Sequence, residues 1–580
     1  MKSKHFFSLI NQIDDDLIEA SNPDNLVLPK KKNRFNIGLL VAGICCLALI
    51  VNMIIFIPSA FNKDTVPNES YIAIYNKLKD SWEKVSQDNN VDFAPGDVPD
   101  QGTTGGDRYE EVTDNQVSGI IEGDVFKRSN KYIFYLSREG LSVYSIAQAD
   151  SALVGYYELG YERVINCDMY LSEDVKTVIA LVRTPDEVHA ISLNVENPKN
   201  ITKTKEFSVK GSYISSRKVG DKLILLTSFQ AKEADVDETE LYIPSINTGN
   251  GYECLMPNQI EVPDCVIDST SYTVVSMLNF NTLSHEGSMS FLSYTGNLYV
   301  SKESLYLTKG YTKGQEIYTT IARIGYTDSC LKLYGTVDIR GRVLNQYSMD
   351  EYNGALRVFT TVGSSWWGEG TSASLFIIDI GSMKKIASCE RFAPAGEEVK
   401  SVRFDKSNAY VCTSVGFTDP VFFFDLSDIN RITYTDTGVI NGYSNSLVAL
   451  KDGLLLGIGL EDSSTFKLEL YKETKDGVVS IGSFIRSIYT SANYKDYYID
   501  KENMIVGFVG SNRHGENYYH VVKLDVSYKD GEPFSANIQT VKHIEVEGYG
   551  VYSKVRGVLI DDYFYVVTAS YIIPKLIDLK

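Results

Sequence analysis

The sequence predicts an all-β protein: a β-propeller of eight or nine four-stranded blades, preceded by one transmembrane helix and a short extracytoplasmic helix. Three observations carry this. The first is composition: 12% of the 580 residues are aromatic, with 39 Tyr and 43 Gly. Aromatic and β-branched side chains suit a pleated, half-buried surface, and Gly and Asp punctuate turns. The second is a hairpin pattern that recurs roughly every 45 to 60 residues, a period of propellers and not of helical solenoids. The third is a single uncharged apolar run near the N-terminus.

That run, FNIGLLVAGICCLALIVNMIIFI, covers residues 35–57. As a helix it is roughly 34 Å long at about 1.5 Å per residue, enough to span a bilayer. Lys30, Lys31, Lys32 and Arg34 precede it, whereas Lys63 and Asp64 flank its other end. The basic bias places residues 1–34 in the cytoplasm and everything after the span outside the cell membrane. A cleaved signal peptide is the rival reading, but the run exceeds an apolar core of about 7 to 15 residues and PSAF is a poor cleavage site. Within the cytoplasmic segment, Phe6, Leu9, Ile10, Ile13, Leu17 and Ile18 share one helical face. It fits a membrane surface or a partner helix, with a short solvated helix as the plainer reading.

Residues 58–110 read as an extracytoplasmic helix and a tether. Asn68 is placed to cap ESYIAIYNKLKDSWEKVSQ, in which Tyr71, Tyr75, Leu78, Trp82 and Val85 form one stripe. The Gly-, Asp- and Pro-rich stretch 88–110 reads as flexible. From 111 to 580 the hairpins follow: KYIFYLS with LSVYSIA, KTVIALV with VHAISLNV, and so on to DYFYVVT with KLIDLK. The spacing leaves room for one strand on each side of every hairpin, making four-stranded blades. Such sheets bury two apolar faces only by stacking around an axis. The final hairpin leaves no residues for an outer strand, so the N-terminal stretch is expected to complete the last blade. The insert Phe229 to Thr270 is expected to cover one mouth of the ring.

Several segments resemble, in order, the signature stretches of a bacterial and archaeal secreted β-propeller family distantly related to WD-repeat proteins. They are NQVSGIIEGDVFKRSNKYIFYLS, VGDKLILLTS, VLNQYSMDEYNGALRVFTT, EEVKSVRFDKSNAYVCTSVGFTDPVFFFDLSD and GYSNSLVALKDGLLLGIGLED. In the first of these Gln116, Val117, Gly119, Glu122, Asp124 and Lys127 match the family pattern. Ile121 stands where that pattern has an acidic residue, and Gly123 where it has Ala. The resemblance implies an exported or membrane-anchored propeller and no particular activity. Glu122 and Asp124 read as the structural seam where the ring begins.

The chemistry-bearing patterns are sparse. The net charge of −19, 75 acidic against 56 basic residues, sets nucleic acid aside. The six His residues are scattered, and no metal or cofactor motif occurs. GYSNS lacks the second Gly of a nucleophile elbow around Ser444, and DVDETE lacks the Gly of a calcium loop. His514 and His520 flank a turn and read as surface or structural residues. Cys254 and Cys265 are close enough in one loop to pair; two free thiols are the alternative. For binding, Trp366 and Trp367 in SSWWGEG stand in a hairpin loop, where they could stack on a sugar, anchor a peptide or pack on the neighbouring loop. The expectation is a membrane-anchored binding or scaffold module for a protein, peptide or cell-wall glycan. The alternative is an extracytoplasmic hydrolase whose carboxylates gather from several blades at the central channel.

Overall fold

The computed structural model describes residues 69–85, 116–117, 119–263, 267, 269–294, 296–326, 330–363, 370–415, 418–436, 440–474, 477–549 and 553–577. Its strands form nine blades, at 126–158, 166–210, 212–292, 298–340, 349–389, 398–436, 443–486, 497–545 and 556–576. Every predicted hairpin is the second and third strand of one blade. These middle strands are apolar on both faces because each face meets another blade; Leu223, Ile224, Leu225 and Leu226 in blade three are all buried.

Apolar clusters join each blade to the next around the ring. Blades one and two share a cluster that also takes in Val558, Tyr565 and Val567 of blade nine, so the ring closes there by side-chain packing. The backbone amide of Gln148 donates to Tyr565 Oη across the same seam at 3.1 Å. Closure by a terminal strand, as the sequence led us to expect, is not what the structure shows. Among the described residues blade nine has three strands, and the N-terminal strand β1 (Ile120–Glu122) pairs with Ser212–Val219 of blade three.

The long insert does not cover a mouth either. Its strands Ser245–Asn247 and Tyr252–Cys254 extend the outer edge of blade two, and Ile260–Glu261 extends that of blade three. There it receives α1 (Glu69–Val85), which packs in the same compact unit as the blades. The helix buries Tyr71, Ile74, Leu78 and Ser81, with Tyr75 and Trp82 half-buried. The stripe is therefore wider than the predicted one by Ile74 and Ser81. Tyr71 Oη donates to the Leu255 carbonyl at 2.7 Å, Tyr75 Oη to that of Ala234 at 3.1 Å, and Lys77 Nζ to that of Pro263 at 2.8 Å. Tyr75 also meets the buried Tyr242 edge-on, 5.4 Å between centroids. In DVDETE, the carboxylate of Glu238 accepts from the Asp235 amide at the turn leading to Tyr242. Burying Leu78 contributes about 1.5–3 kcal/mol.

Among the described residues no helix is long and apolar enough to cross a membrane. The predicted span 35–57 lies outside them, as do Trp366, Trp367 and Cys265.

Candidate functional site

A ring of nine blades exceeds the usual four to eight. Residues 116–117 and 119–124 form a strap along the inner strands. Gln116 Nε2 donates to the carbonyls of Met349 at 2.9 Å and Gln346 at 3.2 Å in front of blade five. Ile120 enters the cluster between blades three and four, and β1 adds an antiparallel strand to the inner edge of blade three, Glu122 lying opposite Arg217. Asp124 then bridges to Met169 on the inner strand of blade two before the chain enters blade one at Phe126.

Two carboxylates fasten this strap. Glu122 is 2% exposed. Its Oε1 faces Arg217 at 2.9 Å and accepts from Gln346 Nε2 at 3.0 Å. Its Oε2 accepts from Tyr494 Oη and lies 3.6 Å from Lys495 Nζ. Asp124 Oδ1 is 3.0 Å from Arg556, whose other nitrogen holds Asp496 at 2.6 Å. Lys127, fully buried, donates to the Glu122 carbonyl at 3.0 Å, and Lys495 to that of Gly123 at 2.7 Å. One strap of chain thus holds side chains from blades three, five, eight and nine. An Ala at Gly123 would put its Cβ at 3.1 Å from that of Asp168 and 3.3 Å from Ser216 Oγ. The departure from the family pattern there therefore relieves a tight contact. Ile121 packs against the cluster between blades two and three, a setting that suits an apolar side chain.

Burial raises the cost of both charges, but the neighbouring cations outweigh it. Arg217 and Lys495, with hydrogen bonds from Tyr494 and Gln346, hold Glu122 below the usual carboxylate range. Arg556, Lys495 and Lys127 do the same for Asp124. Conversely, burial works against the charge on Arg217 and Arg556, yet their carboxylate partners raise both above the ordinary arginine value. A general acid needs a carboxyl whose proton is retained near working pH. These two carboxyls are ionised and occupied on every oxygen, so their chemistry is that of a clasp.

The sequence placed Glu122 and Asp124 at a seam, but their partners went unread. A signal for two of them was present: Arg recurs in the first strands as Ser216-Arg217, Val402-Arg403 and Val555-Arg556. Gln346 lies in one of the signature segments, and Tyr494 and Lys495 sit just ahead of the inner strand of blade eight. The other candidates are dispersed. His514 lies exposed in its turn, whereas His520 is buried, stacked on Phe508 and edge-on to His543 across the sheet. Ser444 is buried and its carbonyl accepts from Ser401 at 2.7 Å. Cys254 is half-buried in the insert. Among the described residues no group of three or more His, Cys, Asp or Glu is arranged to hold a metal ion.

Fold and clasp together define a class: a nine-bladed β-propeller with side chains of several blades tied by its own N-terminal strap. The chain belongs to the beta propeller domain family, which it matches over residues 111–575. An uncharacterized protein of Methanocaldococcus jannaschii is 29% identical over 184 residues, 31% of this chain and 28% of the relative. Another, from Archaeoglobus fulgidus, is 28% identical over 241 residues, 41% of this chain and 34% of the relative. The matched part thus spans about a third or less of each relative. Among solved structures, Kluyveromyces lactis Hsv2p aligns at 11% identity and a TM-score of 0.31, covering 67% of this chain and 100% of that one. An acylaminoacyl peptidase of Pyrococcus horikoshii aligns at 9% identity and 0.33, covering 69% and 57%. Neither likeness bears on function.

Proposed function

We propose that this protein is a membrane-anchored, extracytoplasmic binding or scaffold module that presents its propeller to a protein, peptide or cell-wall glycan. The observation that carries this reading is the clasp. The carboxylates gathered at the axis are saturated by Arg217, Arg556, Lys495, Tyr494 and Gln346, which leaves the loop faces and the clefts between blades as surfaces for a partner. A ring packed blade to blade holds such surfaces rigid, so little ordering entropy opposes binding. The secreted character and the remote WD-repeat kinship implied by the signature segments belong to the same reading, as does the anchor at 35–57.

The test has two arms. Cells expressing the full chain are fractionated and treated with protease from outside. Sedimentation with membranes that resists carbonate, with the propeller degraded from outside, is expected; release by carbonate refutes the anchor. In vivo crosslinking and pull-down then compare wild type with Trp366→Ala/Trp367→Ala. Loss of one crosslinked species is expected, and an unchanged set removes those tryptophans from the binding surface.

A further inference from the structure

We propose that the outer edge of blade nine takes an extended segment of a partner protein as its fourth strand. This deepens the binding-module reading and rests on it. Among the described residues eight blades have four strands or more, whereas blade nine stops at its third, Ile572–Leu576.

The backbone of that strand is unpaired on its outer side. Its ladder to Tyr563–Val567 continues at both ends, where the Thr568 amide donates to the Tyr571 carbonyl at 3.0 Å and the Ile577 amide to that of Asp562 at 2.8 Å. Backbone groups alternate along an antiparallel ladder. Tyr571, Ile573, Lys575 and Ile577 therefore face Tyr563–Val567, and Ile572, Pro574 and Leu576 face outward. Among the described residues nothing bonds these outward groups. Pro574 has no N–H and blunts the edge in part, but it stands where a Pro removes no ladder bond. Three carbonyls and the amides of Ile572 and Leu576 remain for a partner strand.

The walls beside this edge continue the interfaces that close the ring. Across blade one, Tyr135, Ser142 and Tyr156 stand in register, as do Ile133, Tyr144 and Leu153. Tyr135 Oη donates to the Lys554 carbonyl, so both rows look at blade nine. Their inner members are buried, but Tyr156 and Leu153 are 48% and 54% exposed, because blade nine stops short of them. On blade nine, Leu576 is in register with Tyr563 and Ile560, which pack in the same interface, yet it is 58% exposed. The opposite wall is polar. Lys575 is exposed, in register with Phe564 of the cluster shared with blade eight. From blade eight, Lys523 is in register with Ile505 of that cluster and pairs with Asp525 at 3.3 Å. A strand entering here places alternate side chains on the two walls. The chemistry it calls for is a polypeptide held by its main chain, apolar at every second position and polar or charged between.

The experiment pans a phage library of random nonapeptides on the purified full chain and measures the enriched peptides by fluorescence anisotropy. Peptides apolar at alternate positions are expected. Ile572→Pro, which removes an outward amide and no ladder bond, should weaken them by about tenfold or more. Leu153→Asp, on the exposed apolar wall, should weaken them by about fivefold or more. Pro574→Val supplies the missing donor and should tighten them by about threefold to tenfold, the worth of one hydrogen bond. Hydrogen exchange should show the Ile572 and Leu576 amides protected only when peptide is present. No enriched peptide, enriched peptides without the alternation, or binding unchanged by Ile572→Pro or by Leu153→Asp in variants with wild-type circular dichroism overturns the proposal. Protection of both amides in the free monomer overturns it in favour of a segment of the chain itself. A dimer in sedimentation velocity that Ile572→Pro dissociates overturns it in favour of a second copy. Repeating the crosslinking in cells with Ile572→Pro separates the two readings. Partner capture that survives the variant sinks the edge alone, and peptide binding without any partner captured by wild type sinks the scaffold alone.

Discussion

Replacing Glu122 by Gln tests the clasp directly. Gln keeps the shape and can still bond Tyr494 and Gln346, but it removes the charge facing Arg217 at 2.9 Å and Lys495 at 3.6 Å. Arg217 is then a buried guanidinium without its counter-charge. Breaking such a pair from one side costs about 3–5 kcal/mol, and the surviving hydrogen bonds place this variant near 3. Arg217→Met strands Glu122 in the same way at a similar cost. The double variant removes both charges together, so it should cost at least about 2 kcal/mol less than the sum of the singles. Equilibrium urea unfolding, followed by circular dichroism and by tyrosine fluorescence, measures all four proteins, with coincident transitions as the condition for comparing them. The pH dependence has a definite sign. Glu122 titrates below its ordinary 4.5 in the folded protein. Its stabilisation is therefore complete above that pH and is lost as pH falls through the lower folded value. Glu122→Gln should lose less stability than wild type over that acid window. Single-variant costs under about 1 kcal/mol, or costs that simply add, would refute the view that the strap is held by charge.

Three further outcomes follow. Tyr494→Phe keeps the ring against Tyr347 but withdraws the hydroxyl from Glu122, and should cost about 1.5–3 kcal/mol in the same urea assay; no change would mean that the hydroxyl contributes nothing. Leu78→Ala empties a fully buried site on α1 and should weaken helix docking by about 2–5 kcal/mol, seen as faster limited proteolysis between residues 69 and 115 while the blades stay intact. Burial pushes His520 down to about 4, helped by His543, so between pH 6.5 and about 4 the unfolded chain takes a proton that the folded one refuses. Wild type should lose up to about 1.4 kcal/mol per pH unit across that window. His520→Phe should flatten that fall, and an identical profile would remove His520 from the account.

The blades were legible because their signal is local. A middle strand such as Leu223–Leu226 is buried on both faces, so it reads as a continuous apolar run bounded by turns. Nine such runs with paired neighbours leave few other architectures. The strap was not legible, because β1 is three residues long and pairs with a strand nearly a hundred residues later. Its partners are single residues on four blades, with no spacing that periodicity can detect. The insert was misplaced for a similar reason: its strands add to outer edges already formed, a choice set by neighbouring sheets and α1.

Charge joins these points into one argument. In a chain with 75 acidic and 56 basic residues, scattered surface pairs would add little. Yet Arg217, Arg556 and Lys127 are all buried, Arg217 facing Glu122 and Arg556 facing Asp124 and Asp496. Without the strap Arg217 would lose its carboxylate at 2.9 Å and Arg556 would keep only Asp496. The strap thus supplies the carboxylate that faces Arg217 and one of the two that hold Arg556, with Tyr494 donating to the same Glu122.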